Sequence, residues 1–322
     1  YRSNLWMKRN PAVTVGTGLA AAGLLAWVPL QSALSQAEER VGRLENALLM
    51  AQARGTQSSP IGAAVPATVP KMGELWMVAI GVGNYGEDTL DLEAPVKDVD
   101  ALINCFKEQE GTQAMFSKVN VKRLVDDGVS SKSVRQARSW LAENAHTNDT
   151  ILVFVAGHGV RKFGEYYFLT PEATMEEPES GIGREDLDRL VTWDRLNPTR
   201  RILLYDTCQS GESVKGTRGV EPLFPEDDLH SVASQGSGIY IIAASTSQGL
   251  ARENPDQGVF TAGILAGMQG QADRNSDTVV TVEELKNFVT DYVTDATDGA
   301  QKVNAPLVKA GDDFTLGFVQ GQ

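Results

Sequence analysis

Two short segments of the chain carry residue types that together can cleave acyl bonds. The first reads Ala-Gly-His-Gly and contains His158, and the second reads Asp-Thr-Cys-Gln-Ser-Gly and contains Cys208. A cysteine attacks a carbonyl as its thiolate, and a neighbouring imidazole promotes ionisation of the thiol and later protonates the departing amine. Glycines beside such a pair let backbone N–H groups point at a developing oxyanion. The two segments therefore indicate nucleophilic catalysis by a Cys–His pair.

Few other Cys–His pairs are available, because the chain has two cysteines and three histidines. Cys105 lies in an apolar helical pattern, which predicts a small buried side chain without chemistry. His146 and His230 lie in polar stretches and are expected to be solvated. Two cysteines also exclude a disulfide framework.

Each of the two segments follows a run typical of a buried strand, at residues 151–156 and 202–205. Further strand runs cover residues 75–82, 119–125 and 239–244, and helical patterns cover 95–107, 131–144, 184–190 and 259–268. Apolar strands that alternate with helices predict an α/β fold with a mainly parallel sheet covered on both faces. Functional residues of such sheets lie at the carboxyl ends of strands, so neighbouring strands would bring His158 and Cys208 together.

The residues before this domain predict a membrane anchor. Residues 11–30 are uncharged and have the length that a bilayer crossing needs, with Lys8 and Arg9 in front of them. We therefore assign 1–32 as a tail and single-pass transmembrane anchor; a cleavable signal peptide and a buried helix are the alternatives. Basic residues are balanced on the two sides of the segment, so the side of the membrane that holds the domain stays open.

A short amphipathic segment and a linker follow the anchor. Residues 33–53 contain a heptad seam that would allow a homodimer, although a plain amphipathic helix has the same pattern. The seam consists of Leu34, Ala37, Val41, Leu44, Leu48 and Ala51. Residues 54–71 contain three prolines and read as a flexible linker, which leaves 72–322 as the folded domain.

The composition excludes one class of partner. The chain has 322 residues, a hydrophobic fraction of 42% and a net charge of −13. The hydrophobic fraction is that of a globular protein. The acidic balance argues against a nucleic-acid binder, which needs a basic surface for the phosphates.

Both segments closely resemble the catalytic motifs of the caspase clan, above all those of bacterial caspase homologues and metacaspases. Cys208 follows His158 by about 50 residues, which is the separation in caspases. Residues 79–85 resemble the first strand and loop of this family, residues 96–102 its first helix, and residues 258–263 its small-subunit helix. The resemblance implies a caspase-like three-layer sandwich.

The resemblance also implies a cysteine endopeptidase that acts on proteins or peptides. By analogy Cys208 forms the acyl-enzyme, His158 is the general acid and base, and the N–H groups of Gly159 and Cys208 bind the oxyanion. The family works with a dyad, so no third catalytic residue is implied. The main alternative is a catalytically silent scaffold or a membrane-bound interaction protein on the same fold.

Two acids match the first specificity pocket of metacaspases. They are Asp206, two residues before the nucleophile, and Asp98, for which an exposed helix acid is the alternative. An acidic pocket attracts Arg or Lys, which predicts cleavage after these residues. Ala156 stands where metacaspases commonly have Ser.

The stretch after the cysteine, 212–238, has little periodicity and matches a loop that is often cleaved in this family. Lys215, Arg218 and Arg252 are candidate self-cleavage sites, and an ordinary surface loop is the alternative.

One acidic segment allows two interpretations. Asp273, Asn275, Asp277 and Glu284 have the spacing of a calcium loop, but Thr278 replaces its turn glycine. In the alternative, Thr281 and Glu284 form a capping box that opens a helix. The implied chemistry requires no cofactor, and calcium remains an open alternative.

Two alternative folds would each carry a motif of their own. An α/β hydrolase would need a Gly-x-Ser-x-Gly elbow, and none is found. Residues 81–86 have the Gly-x-Gly-x-x-Gly spacing of a dinucleotide loop, a pattern that is weak when it stands alone.

Overall fold

The computed structural model describes residues 73–112, 114–209, 226–234, 238–246, 257–305 and 312–319. All of them belong to one of the two compact units of the chain, Thr68–Gln322. The predicted anchor, heptad seam and linker lie outside the described residues, and so do the candidate self-cleavage sites. Within the described part of the chain, no helix has the length and apolar character that a membrane crossing demands.

A central sheet organises the described residues. Its parallel strands are β1 (Leu75–Gly81), β2 (Val119–Val125), β3 (Thr150–Lys162), β6 (Arg200–Gln209) and β7 (Ile239–Thr246). The antiparallel strands β4 (Glu165–Phe168), β5 (Ile182–Gly183) and β9 (Gln301–Asn304) extend it. The order across the sheet is β2-β1-β3-β6-β7-β9, with β4 on β3 and β5 on β4. The strands β8 (Val279–Thr281) and β10 (Thr315–Phe318) pair separately.

Helices cover both faces of the sheet. They are α1 (Ala94–Lys107), α2 (Ser131–Asn144), α3 (Arg184–Thr192), α4 (Glu226–Ala233), α5 (Val259–Ala266) and α6 (Val282–Ala296). Apolar residues of α1, α5 and α6 pack in one core, and those of α2, α3 and α4 pack in a second core. The predicted α/β class with a mainly parallel central sheet is confirmed.

The parallel strands are apolar throughout because both of their faces are covered. All seven residues of β1 are buried. Its alternate side chains enter opposite cores, since successive residues of a strand point to opposite faces. Val78 and Ile80 pack in the core of α2, and Met77 and Ala79 pack in the core of α1.

Two expectations about element boundaries were wrong. Strands β3 and β6 continue past the predicted ends, so His158 and Cys208 lie inside strands and not beyond them. The end of β3 is extended because the chain turns back after it and forms β4, which pairs with residues 159–162. The end of β6 is extended because residues 207–209 pair with residues 157–159 of β3. The stretch 212–238 also contains α4, a helix of eight residues in which Leu229 and Val232 are buried, and this length is too short to give a clear period.

One buried carboxylate ties the amino end of the sheet together. Asp149 is 6% exposed and accepts hydrogen bonds from the N–H of Glu74, the indole N–H of Trp76 and the N–H of His146. We expect Asp149→Ala to lower the free energy of unfolding by about 2–4 kcal/mol, because three donors lose their acceptor.

Urea unfolding measures this loss. The control is Asp127→Ala, which removes an exposed acid from the 3₁₀ turn Asp126–Gly128. Equal stabilities of the two variants would contradict the role given to Asp149.

Candidate active site

The two predicted catalytic residues lie side by side in the sheet. Strands β3 and β6 are parallel neighbours, and their register pairs His158 with Cys208. Adjacent strands of a sheet are about 4.8 Å apart. The register therefore brings the main chains of His158 and Cys208 as close as neighbouring strands allow, which is the proximity that a Cys–His pair needs.

The hydrogen bond of His158 defines which ring nitrogen carries the proton. The side chain is buried, and its Nε2 lies 2.8 Å from the carbonyl oxygen of Leu90. A carbonyl only accepts, so Nε2 is the protonated nitrogen and Nδ1 of the neutral ring keeps its lone pair. Nδ1 is buried and has no hydrogen-bond partner among the described residues. Nδ1 is therefore the nitrogen that can take a proton.

The surroundings of His158 keep its imidazole neutral. Burial lowers the pKa of His158, and the hydrogen bond to Leu90 offsets part of this effect. Burial disfavours the charged imidazolium because a low-dielectric site solvates it poorly. The ring is thus mostly neutral near neutral pH and can accept a proton.

Cys105 is unsuited to nucleophilic catalysis. It lies in α1, partly buried against the core. Burial, with a smaller contribution from Glu108, raises the pKa of the Cys105 thiol to about 12. The thiol is therefore protonated at neutral pH, and a thiol is a weak nucleophile. The expectation of an inert side chain at Cys105 agrees with this position.

The glycines on the two sides of His158 have different surroundings. Gly157 has φ of +145°, and a Cβ on it would lie 2.9 Å from the Tyr85 hydroxyl. Only glycine fits both the conformation and the space. Gly159, the predicted oxyanion donor, is buried in β3 between its register partners Gln209 and Phe168.

The two predicted pocket acids meet at one glycine. Asp98 of α1 is 2% exposed and accepts the N–H of Gly258 with both carboxylate oxygens, at 3.1 and 3.2 Å. Asp206 of β6 accepts the hydroxyl of Thr261 at 3.1 Å. The Oδ2 atoms of both acids lie within 3.0 Å of the point that a Cβ on Gly258 would occupy. Glycine at this position lets the two carboxylates converge.

Two carboxylates at such a distance repel each other and favour a cation between them. The N–H of Gly258, the N-cap residue of α5, binds Asp98, and the nearby helix N-terminus offsets part of the charge. Ala156, at the position where metacaspases commonly have Ser, is buried and is the register partner of Asp206. Its methyl group brings no polar contact to the acids.

Side chains of the candidate calcium loop form hydrogen bonds with backbone N–H groups of the same loop. Asp273 and Asn275 accept the N–H of Asp277, and Asp273 also accepts that of Thr278, which has φ of +71°. Glu284 forms the capping box with Thr281 at the start of α6. Among the residues that the structure describes, no group of three or more His, Cys, Asp or Glu side chains is arranged to hold a metal ion.

The Gly-x-Gly-x-x-Gly segment is not arranged as a dinucleotide loop. Its amides are used within the protein, since the N–H of Gly83 binds Asp126 and the N–H of Gly86 binds the carbonyl of Pro171. Helix α1 begins only at Ala94. A phosphate-binding loop needs free amides that lead directly into a helix.

Four groups at the site were not found from the sequence. They are the carbonyl of Leu90, the hydroxyl of Tyr85, the amide of Gly258 and the hydroxyl of Thr261. Tyr85 and Gly258 stand in segments that resemble the family, but their contacts join parts of the chain that are far apart in sequence. Only the packing of the loops could identify them.

The chain is similar to several known proteins. The model of the caspase domain matches residues 75–310. Metacaspase-4 of Arabidopsis thaliana is 30% identical over 42% of this chain and 33% of its own length, and metacaspase-6 of the same plant is 28% identical over 41% and 37%. The matched part thus spans little more than a third of these relatives. A solved structure from Geobacter sulfurreducens is 14% identical, with a TM-score of 0.48, over 74% of this chain and 95% of its own. Because the caspase-domain model covers most of the chain, the chain belongs to the caspase-domain family of peptidases.

Proposed function

We propose that this protein is a cysteine endopeptidase that cleaves after Arg or Lys through the Cys208–His158 dyad. One observation carries the proposal: the register pairs Cys208 with a buried, neutral His158 whose Nδ1 has no hydrogen-bond partner among the described residues. Membership of the caspase-domain family supports the same chemistry.

In the first half of the reaction, Nδ1 of His158 takes the proton of the Cys208 thiol. The thiolate attacks the substrate carbonyl carbon, a C–S bond forms, and the carbonyl oxygen becomes an oxyanion that the N–H groups of Gly159 and Cys208 stabilise. The C–N bond then breaks, and the proton on His158 passes to the departing amine. The product of this half-reaction is an acyl-enzyme.

In the second half, His158 removes a proton from water as the water attacks the thioester. The C–S bond breaks, the acid product leaves, and the proton returns to the sulfur of Cys208. A buried imidazole with a lowered pKa suits both halves, because it is neutral whenever it must accept a proton.

The preference for a basic residue rests on the two acids at Gly258. Asp98 and Asp206 offer negative charge next to the nucleophile strand, and Asp206 stands two residues before Cys208 in β6. A substrate Arg or Lys would compensate both carboxylates, whereas a substrate Asp would add a third like charge. The relatives that the chain matches are named metacaspases, the group whose pocket acids Asp98 and Asp206 resemble.

Removal of the nucleophile tests the proposal most directly. We expect Cys208→Ala to lower kcat at least about a thousandfold on a peptide with Arg before the scissile bond, because the proposed acyl-enzyme forms on the sulfur of Cys208. Cys105→Ala serves as the matched control and should keep its activity. If Cys208→Ala cleaves as well as the parent protein, the chain is a silent scaffold and the hydrolysis comes from another protein.

The pocket acids are tested with peptides that differ only in the residue before the scissile bond. We expect kcat/KM to be higher for Arg and Lys than for Asp. Gly258→Ala would place a Cβ between the two carboxylates, and we expect kcat/KM for the Arg peptide to fall about a hundredfold, as for loss of a buried charge contact. Glu143→Gln removes an exposed acid from α2 and is the control.

A preference for Asp, or full activity of Gly258→Ala on the Arg peptide, would show that these acids do not bind the substrate side chain.

The state of His158 is testable without catalysis. In the Cys208→Ala protein we expect NMR titration to give His158 a pKa below the ordinary value of about 6.5, because burial disfavours the imidazolium. The imidazole then stays neutral as the pH falls through 6.5, so the acid limb of kcat/KM of the parent protein should also lie below about 6.5. His158→Asn identifies the signal. A pKa above the ordinary value would mean that the ring is held as a cation and cannot be the base.

A further inference from the structure

A single loop holds both the ring and the main chain of His158. The loop lies between β1 and α1 and contains the 3₁₀ turn Asp88–Leu90. The Leu90 carbonyl accepts the Nε2–H of His158 at 2.8 Å, and the Tyr85 hydroxyl accepts the main-chain N–H of His158 at 2.9 Å. Neither group takes part in the bond changes of peptide hydrolysis.

Tyr85 is buried and contacts both the main chain and the ring of neighbouring residues. It is 5% exposed, its hydroxyl donates to the carbonyl of Val82 at 3.2 Å, and its ring centroid lies 5.0 Å from that of the His158 imidazole. The hydroxyl also occupies the space that a side chain at position 157 would take, since a Cβ on Gly157 would lie 2.9 Å from it. The glycine before the histidine thus makes room for the hydroxyl of Tyr85.

Two carboxylates hold the loop in this shape. Asp91 Oδ1 accepts the N–H of Tyr85 at 2.8 Å. This hydrogen bond joins the two ends of the loop, because Leu90 directly precedes Asp91 in the sequence. Asp126 Oδ1 accepts the two N–H groups just before Tyr85, at 2.9 and 3.0 Å. The Tyr85 hydroxyl and the Leu90 carbonyl are therefore fixed relative to each other as well as to the imidazole.

We propose that Tyr85 is a positioning residue for His158, and that Asp91 supports it by closing the loop. Together they keep the imidazole in the Nε2–H tautomer, with Nδ1 as the basic nitrogen. A ring that rotated, or exchanged tautomers, would present an N–H where the thiol proton must be accepted. The inference rests on the proposed proton transfer by His158, and Tyr85 acts through that residue alone.

The test removes the Tyr85 hydroxyl and measures both the kinetics of hydrolysis and the tautomer of the His158 imidazole. For Tyr85→Phe we expect kcat on the Arg peptide to fall about tenfold with KM changed less than about twofold, because the base is displaced while the pocket acids are intact. In the Cys208→Ala background, nitrogen NMR of the imidazole should show one Nε2–H tautomer, and a mixture when Tyr85→Phe is added.

Tyr240→Phe is the matched control. It removes another buried tyrosine hydroxyl, which lies in β7 and has no hydrogen-bond partner among the described residues. It should change neither kcat nor the tautomer.

A second pair of variants covers the case in which Tyr85→Phe fails to fold. Asp91 is exposed, so Asp91→Ala should fold, and we expect kcat to fall about threefold with the same change of tautomer. Asp91→Asn keeps an accepting oxygen and should restore kcat. Asp88→Ala removes an exposed acid from the same loop and is the control for charge.

Two results would overturn the inference. In one, Tyr85→Phe and Asp91→Ala keep the parent kcat and the single tautomer. In the other, kcat falls but the tautomer is unchanged, which would make the role of Tyr85 purely structural. A parent protein without Cys208-dependent hydrolysis would instead refute the proposed function, and the tautomer is still measured because that experiment uses the protein without the thiol.

Discussion

The parallel register between β3 and β6 is the constraint on which the site depends. A shift by one residue would pair Cys208 with Gly157 or Gly159, and it would move every core side chain of one strand to the wrong face of the sheet. Both strands have buried apolar residues toward two cores, for example Leu203 toward α2 and Leu204 toward α1. Hydrophobic packing over the whole sheet thus fixes the main-chain pairing of His158 with Cys208, the two proposed catalytic residues.

The same sheet explains why the loop after β1 controls the imidazole. β1 is the other neighbour of β3, and its last residue, Gly81, is the register partner of Ala156. The chain that leaves β1 therefore arrives next to His158. At that point a backbone carbonyl, which cannot donate, determines the tautomer of the ring, and burial keeps the ring neutral. The proposed dyad would need no acidic third residue, because the main-chain oxygen of Leu90 orients the imidazole.

The proposed nucleophile and one of the proposed pocket acids share a strand. Asp206 and Cys208 are both in β6, and the partner acid Asp98 comes from α1, which packs on the sheet. The start of α5 joins them, since Gly258 binds Asp98 and Thr261 binds Asp206. Strand β6 would therefore hold a cation that enters between the carboxylates at a fixed position relative to Cys208. Oriented reactions require such fixed positions of the reacting groups.

The sequence by itself determined the fold class, five strands and four helices, and it singled out His158 and Cys208 as the candidate pair, because these depend on local periodicity and on rare residue types. It did not show that β3 and β6 extend through His158 and Cys208, nor that Tyr85, Leu90, Gly258 and Thr261 contact the site. Those features depend on contacts between residues that are distant in the chain, such as the approach of the Tyr85 hydroxyl to the main chain of His158. Local sequence cannot specify such contacts, because hydrogen-bond partners across a sheet are chosen by packing, which only the tertiary structure decides.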